Sequence, residues 1–384
     1  MTPRRFHLPA ETDRHDGTIM AWPTLFSVTG EAHDYPGGDL SQTRLEVANV
    51  ARAIAQHERL HLFVRDTTTG EGHGIQDTNF KSAQEALGDV ANVTIHQTPN
   101  IHSLWARDTA PVYVRSMAGP IGIKWGRGDT AGVGSSKKDT SSTIVGMVLN
   151  YNQWGRKNAP TADMYLAATA AETLNKSYVL APFVAEGGGL MWDGEGTMLA
   201  TESAILNPNR NPGIDKQTME SYFAHCFGIQ KTIWVPGRRG FDITDDHIDA
   251  LARFVSPGKI LLSKPFSSEA WESKTYNDLQ DTLSTVTDAK GRSFTTIDVP
   301  EPDLEAILRE DYCPDSGPVA SYVNFHIVNG AVIVPAFGDT ERDAEAARII
   351  GEQFPDRKVQ QVLLRQLPMQ GGGIHCATQQ IPSE

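Results

Sequence analysis

The chain has 384 residues, 39% of them hydrophobic and 21% charged, with a formal net charge of −13 at pH 7. Those proportions belong to a soluble globular protein too large for one small core. The negative charge argues against nucleic acid or an anionic membrane as partner and suits a small cationic one. Three cysteines, Cys226, Cys313 and Cys376, show no CxxC spacing and suggest neither a disulfide framework nor a zinc site. Residues 1–11 include basic residues but no apolar segment, and no stretch is long enough to span a bilayer, so a reducing, cytoplasmic setting is expected.

In chain order, residues 18–22 read as a short strand stopped by Pro23, and a polar loop runs to Pro36-Gly37-Gly38. Val47, Val50, Ala51 and Ile54 then mark the buried stripe of a helix, with Ser41 expected to cap it. A strand at 60–64, a loop at 66–74, a helix at 80–87 and a strand at 93–96 follow. From there one pattern repeats: a β-hairpin, an amphipathic helix and a lone strand. The hairpins are expected to turn at Gly119-Pro120, Asp193-Gly194, Pro257-Gly258 and Asn329-Gly330, dipeptides suited to tight turns. Helical stripes follow at Met164/Ala167/Ala168/Ala171, Met219/Tyr222/Phe223/Cys226, Tyr276/Leu279/Leu283/Val286 and Ala346/Ile349/Ile350, which places Cys226 in a core. The regular beat implies five ββαβ units in an α/β fold, the first completed by the C-terminal segment. A closed ring of such units would bring equivalent loops to one face. Short hairpins inside each repeat do not fit the crossovers of a doubly wound parallel sheet. Two stretches break the pattern: a polar loop at 127–142, and an acidic connector at 300–318 that carries Cys313.

Chemistry-bearing residues gather just before the hairpins. Trp105-Ala106-Arg107-Asp108-Thr109 precedes the first, Glu186-Gly187-Gly188-Gly189 the second, and Asp245-Asp246-His247-Ile248-Asp249 the third. The chain closes on Gly371-Gly372-Gly373-Ile374-His375-Cys376, where glycines let a ligand approach the backbone. Singly, each has an ordinary explanation: Asp108 as a helix cap or Arg107 partner, Glu186 as a turn acid, His247 and Asp249 as the start of a helix capped by Asp245. Cys376 alone reads equally well as a small buried hydrophobe. Together they are hard to explain that way. Carboxylates grip a planar guanidinium through paired hydrogen bonds, and a thiolate can attack its electrophilic central carbon while a histidine moves protons. Acids alone would raise the thiol pKa, so the thiolate should depend on His247 or on the bound cation. The Gly126-Arg127-Gly128-Asp129-Thr130-Ala131 run imitates a dinucleotide fingerprint, but no helix opens after it. The His-Cys pairs at 225–226 and 375–376 lack metal-ligand spacing. Neither metal nor organic cofactor is expected.

Six ordered motifs resemble those of agmatine deiminases, within the Porphyromonas-type peptidylarginine deiminase family of the guanidine-modifying superfamily. They are Trp105 to Thr109, Glu186 to Gly188, Leu206-Asn207-Pro208-Asn209-Arg210-Asn211-Pro212, Asp246 to Asp249, Ala320-Ser321-Tyr322-Val323-Asn324-Phe325, and the stretch from Gly371 to Gln380. The resemblance, which runs from about Leu8 to the end, implies one catalytic domain over 1–384 with the pentein fold, a five-bladed α/β propeller. It implies Cys376 as nucleophile, His247 as acid and base, and Asp108, Glu186 and Asp249 as guanidinium ligands. Trp105, Trp22, Arg107 and Gly373 are expected around the substrate, with Trp22 equally readable as a core aromatic. The products implied are N-carbamoylputrescine and ammonia, a step of putrescine and polyamine biosynthesis. The chain departs from the family in a longer polar segment between Val112 and Asn152, in Lys157-Asn158-Ala159-Pro160-Thr161 after Trp154-Gly155, and in a shortened connector before Ala320. Those departures bear on the far end of the pocket and leave arginine or peptidyl arginine as alternative substrates. A pentein-fold protein that binds guanidinium without turnover is the alternative from another class. A homo-oligomer is compatible with all of these.

Overall fold

The computed structural model describes residues 5–24, 39–66, 78–119, 142–267, 273–303, 307 and 319–384. The Pro36–Gly38 turn, the 126–131 glycine run, most of the loops at 66–74 and 127–142, and Cys313 lie outside them.

The fold is mixed α/β, and its described strands form five sheets. Strand β1 (Phe6–His7) edges the sheet β1-β5-β6-β7, in which β5 is Val112–Ser116, β6 Ile144–Val148 and β7 Ser177–Leu180. The next sheets are β8 (Leu190–Trp192), β9 (Thr197–Thr201) and β10 (Lys231–Val235); β11 (Ala252–Ser256), β12 (Lys259–Lys264) and β13 (Thr295–Pro300); and β14 (His326–Val328), β15 (Ala331–Ala336) and β16 (Lys358–Leu363). The fifth joins the two ends of the chain: β17 (Thr378–Pro382) pairs antiparallel with β2 (His15–Ala21), which is followed by β3 (Leu60–Arg65) and β4 (Val93–Thr98).

Every sheet repeats one arrangement. An antiparallel pair comes first, and its second strand then pairs in parallel with a strand reached through a helix. The crossover helices are Leu40–Ala55, Leu166–Thr173, Lys216–Phe227, Ser273–Thr285 and Thr340–Gln353. Their expected stripes point inward: Val47, Val50, Ala51 and Ile54 are fully buried, and Cys226 packs with Met219, Phe223 and Phe227. No helix among the described residues is long and apolar enough to cross a membrane.

One local expectation is corrected. The first helix is capped by Asp39, not Ser41: the Asp39 carboxylate accepts from the amides of Ser41 (2.8 Å) and Gln42 (3.2 Å), as only a side chain at the residue before the helix can. The turn expected at Gly119-Pro120 runs into residues outside the described ones, and among the described residues β5 pairs antiparallel with β6.

Candidate active site

Each of the five sheets is entered through a short loop that leads into the first strand of its antiparallel pair. Asp108 lies on a single helical turn (Ala106–Thr109) before β5, Glu186 before the turn Gly187–Gly189 and β8, and His247 and Asp249 at the turn Ile248–Ala250 before β11. Asn324 precedes β14 and Cys376 precedes β17. The five loops converge. Asp108, His247, Asp249 and Cys376 line one cleft together with Trp105 and Trp154.

Gly188 makes that convergence possible. A Cβ there would stand 2.7 Å from His247 Nδ1, 3.0 Å from Asp108 Oδ1 and 3.1 Å from Asp249 Oδ2, so only glycine keeps the three groups so close. Gly372 does the same for the Cys376 loop, where a Cβ would meet the Trp105 ring at 2.5 Å and the Cys376 Cβ at 3.1 Å.

Asp108 Oδ1 accepts from the Gly188 amide (3.1 Å) and Oδ2 from the Trp154 indole (2.9 Å). Burial, with Asp249 and Glu186 nearby, outweighs His247 and Trp154 and raises its pKa to about 6. His247 is fully enclosed, which opposes its charge, but Asp108, Glu186 and Asp249 overcome that and push its pKa up to about 9. It is an imidazolium at neutral pH. Asp249 accepts at Oδ2 from His375 (2.7 Å) and from the Cys376 thiol (3.4 Å), while its buried Oδ1 has no protein partner. Asn324 donates to Cys376 Sγ at 3.2 Å. Burial and the charges of Asp249 and Asp108 hold the Cys376 thiol well above its ordinary pKa, against the help of the Gly373 amide and Asn324. The site therefore holds a thiol together with an imidazolium, and a cation entering between the acids would favour the thiolate. Iodoacetamide, an uncharged probe, should accordingly alkylate Cys376 slowly at roughly neutral pH and faster as the medium becomes more alkaline. Rapid alkylation at neutral pH, followed on the Cys376 peptide by mass spectrometry, would contradict this.

Several expected placements change. Glu186 is fully buried and does not line the cleft: its oxygens take the Arg210 Nε at 2.9 and 2.8 Å, and Oε2 faces His247 Nε2 at 3.3 Å. The structure thus places Glu186 against Arg210 and His247, behind the cleft wall. Arg107 is also fully buried and turned away from the cleft, with NH1 3.5 Å from Glu11 and Nε donating to the His375 carbonyl, because a buried guanidinium must find acceptors. Trp22 is a core aromatic, packed in the cluster of Val47, Val50 and Ile54 with its indole donating to Ser82. Gly373 faces Asn324, whose Oδ1 would lie 2.6 Å from a Cβ there. Of the four, Trp105 lines the cleft. His247 and Asp249 sit at a 3-10 turn rather than at the start of a longer helix, and Asp245, at φ 65°, accepts from Arg210 and Gly240 instead of capping one.

Sequence reasoning missed Trp154, Arg210, Asn324 and His375. Trp154 comes from a run with left-handed φ at Gln153 (64°), Trp154 (51°), Gly155 (82°) and Arg156 (62°), a costly conformation that aims its indole at Asp108. No pattern of residue types announces such a run. Asn324 and Arg210 do lie inside the family-like motifs, which was the available signal. Among the described residues His15, Glu58 and His326 bring metal-capable atoms within 4.8 Å of one another. They lie off the cleft, and the Thr18 hydroxyl already joins Glu58 (2.6 Å) to His326 (2.8 Å) in a hydrogen-bonded core group.

A family model described as Porphyromonas-type peptidyl-arginine deiminase matches residues 7–382. An agmatine deiminase of Medicago truncatula is 30% identical, with 98% of this chain and 96% of the relative covered. The solved agmatine deiminase of Enterococcus faecalis superimposes with a TM-score of 0.79 at 25% identity, covering 100% of this chain and 98% of that one. A C. jejuni agmatine deiminase solved with substrate bound shares the fold, with a TM-score of 0.77 at 20% identity over 100% of this chain and 98% of its own.

Proposed function

Because this chain belongs to the Porphyromonas-type peptidyl-arginine deiminase family, we infer that it is a hydrolase that deiminates agmatine to N-carbamoylputrescine and ammonia, the step that feeds putrescine formation. The observation that carries the chemistry is the meeting of a thiol, an imidazolium and two carboxylates in one cleft. In this reading Asp108 and the unpartnered Asp249 Oδ1 receive N–H groups of the guanidinium, whose charge draws Cys376 toward its thiolate, the thiol proton passing to solvent until Sγ takes one back at the end of the cycle. Cys376 Sγ then bonds to the central carbon. His247 gives its proton to a departing amino group, which leaves as ammonia, and a thiouronium joins substrate to Sγ. The neutral His247 next takes a proton from water, whose oxygen adds to the same carbon, and collapse breaks the C–S bond to leave the ureido product and Cys376. Glu186, itself anchored by Arg210, holds His247 in place for both transfers.

We propose further that the five sheets are the blades of a pentein propeller and that residues 1–384 form one catalytic domain. What supports this is the shared order of the five units and the entry of every site loop just before the first strand of its sheet's antiparallel pair.

The same cleft favours agmatine over arginine. Its lining includes Asp108, Asp242, Asp246, Asp249 and Glu301, while Arg238 is forked onto Asp246 (3.1 Å twice) and lies 3.7 Å over the Phe241 ring. Lys157 is committed to Asp245 (2.8 Å), and Arg127 lies outside the described residues. An α-carboxylate would meet acids and committed cations, a penalty on the order of a thousandfold in kcat/KM. Ammonia release from agmatine, arginine and an arginyl peptide tests both levels. A preference for arginine or the peptide would overturn the substrate, and release from none of them would leave a guanidinium-binding protein.

A further inference from the structure

His375 adjoins the nucleophile, yet its side chain is fully buried and lies off the cleft. Its ring bridges two carboxylates, with Nδ1 2.7 Å from Asp249 Oδ2 and Nε2 3.2 and 3.3 Å from the two oxygens of Glu11. A carboxylate at 2.7 Å requires the proton on Nδ1. Glu11 is held from behind by Arg253 and by Arg107, both fully buried. The backbone around the ring is fixed as well. The His375 amide donates to Asn324 Oδ1 (3.0 Å), the Arg107 side chain to the His375 carbonyl (3.3 Å), and the Arg107 amide to the Cys376 carbonyl (3.0 Å). A chain of paired polar groups thus runs from the interior to Oδ2 of Asp249 and leaves Oδ1 as the oxygen without a protein partner.

We propose that His375 is a positioning residue for Asp249: its Nδ1–H fixes Oδ2, so that Oδ1 is the oxygen presented to the guanidinium. The inference rests on reading Asp249 as a guanidinium ligand. It has a consequence in pH. Asp249 is faced by His375 and Cys376 from the C-terminal loop, His247 from its own turn, Asp108 and Arg107 from the turn at 106–109, and Arg253 from β11. Burial opposes its ionisation, but the His375 hydrogen bond and the charges of His247 and Arg107 hold its carboxyl below the ordinary value, while burial and the two arginines lower the pKa of His375 itself and keep its ring a neutral Nδ1–H donor. Removing the Nδ1 donor should raise that pKa, so the acid limb, here the steeper fall of kcat/KM that sets in at acid pH beneath the ascent governed by the thiol, should begin at higher pH.

The test compares two amides. His375→Asn can keep a donor near the Nδ1 position, whereas His375→Gln places its amide near Nε2 and loses the Asp249 contact. His375→Gln should lower kcat/KM for agmatine by about tenfold to a hundredfold, mainly through KM, with its acid limb displaced upward. His375→Asn should recover most of both. Equal losses in the two variants that follow their unfolding temperatures, or an unmoved acid limb in His375→Gln, would overturn the inference. If neither variant folds, Glu11→Gln decides from the other ring nitrogen: a raised KM supports the inference and an unchanged KM overturns it. A wild-type chain that releases no ammonia from agmatine would instead sink the reading beneath it.

Discussion

Cys376→Ala is expected to abolish ammonia release from agmatine, with kcat down by at least about 10⁴-fold, while agmatine still binds. The reason is a division of labour in the cleft. In the proposed mechanism Asp108 and Asp249 supply acceptors for the guanidinium, and removing Sγ leaves both carboxylates where they are. What disappears is the atom that turns hydrolysis of a resonance-stabilised cation into two easier steps. Calorimetric titration with agmatine separates the two effects, since binding should survive within about tenfold and turnover should not. Cys226→Ala is the control. That thiol is 1% exposed among Met219, Phe223 and Phe227, with its pKa raised by burial to about 12, so its loss should cost only about 1 to 2 kcal/mol of packing. Undiminished activity in Cys376→Ala would end the covalent mechanism.

The next largest effect is expected for His247→Gln, at about 10³- to 10⁴-fold in kcat. Glutamine keeps a hydrogen bond to Glu186 within reach but cannot give a proton to the leaving amine or take one from water. The pH dependence distinguishes this role from a structural one. The productive form of the free protein pairs a His247 imidazolium with a Cys376 thiolate, and the thiol is the harder of the two to ionise. In the wild type kcat/KM should therefore rise with pH and level off near pH 9, where loss of the His247 proton begins to cancel the gain in thiolate. In His247→Gln that levelling should vanish and the residual rate keep rising. A wild-type profile flat from about pH 6 to 9 would contradict the reversed protonation pattern. The raised pKa also bears on stability. Protonated His247 stabilises the fold most fully below its ordinary pKa near 6.5, and that contribution is lost as the pH climbs through about 9.

The repeat and most of the candidate site residues were legible in the order of residues alone. Apolar spacing marked each crossover helix, because a helix packed on a sheet must bury one stripe, and Val47 through Ile54 and Met219 through Cys226 do so. Glycine turns located three of the hairpins, and the position of Asp108, Glu186, His247 and Cys376 ahead of hairpin strands was readable because the unit recurs. Which way the charges face follows instead from how distant segments pack. Arg107 and Asp108 are adjacent in sequence, yet one turns to Glu11 in the interior and the other to the cleft. His375 and Cys376 divide in the same way. A local stretch fixes that neighbours on one turn diverge, but not which direction is inside. Glu186 likewise reads as a free acid until Arg210, distant in the chain, folds over to claim it. The closest contacts of the site, around Gly188 and along the left-handed run at Trp154, arise between loops of different sheets. Such contacts leave no periodic trace, because hydrogen-bond partners and Cβ clearances depend on where separate loops meet in space.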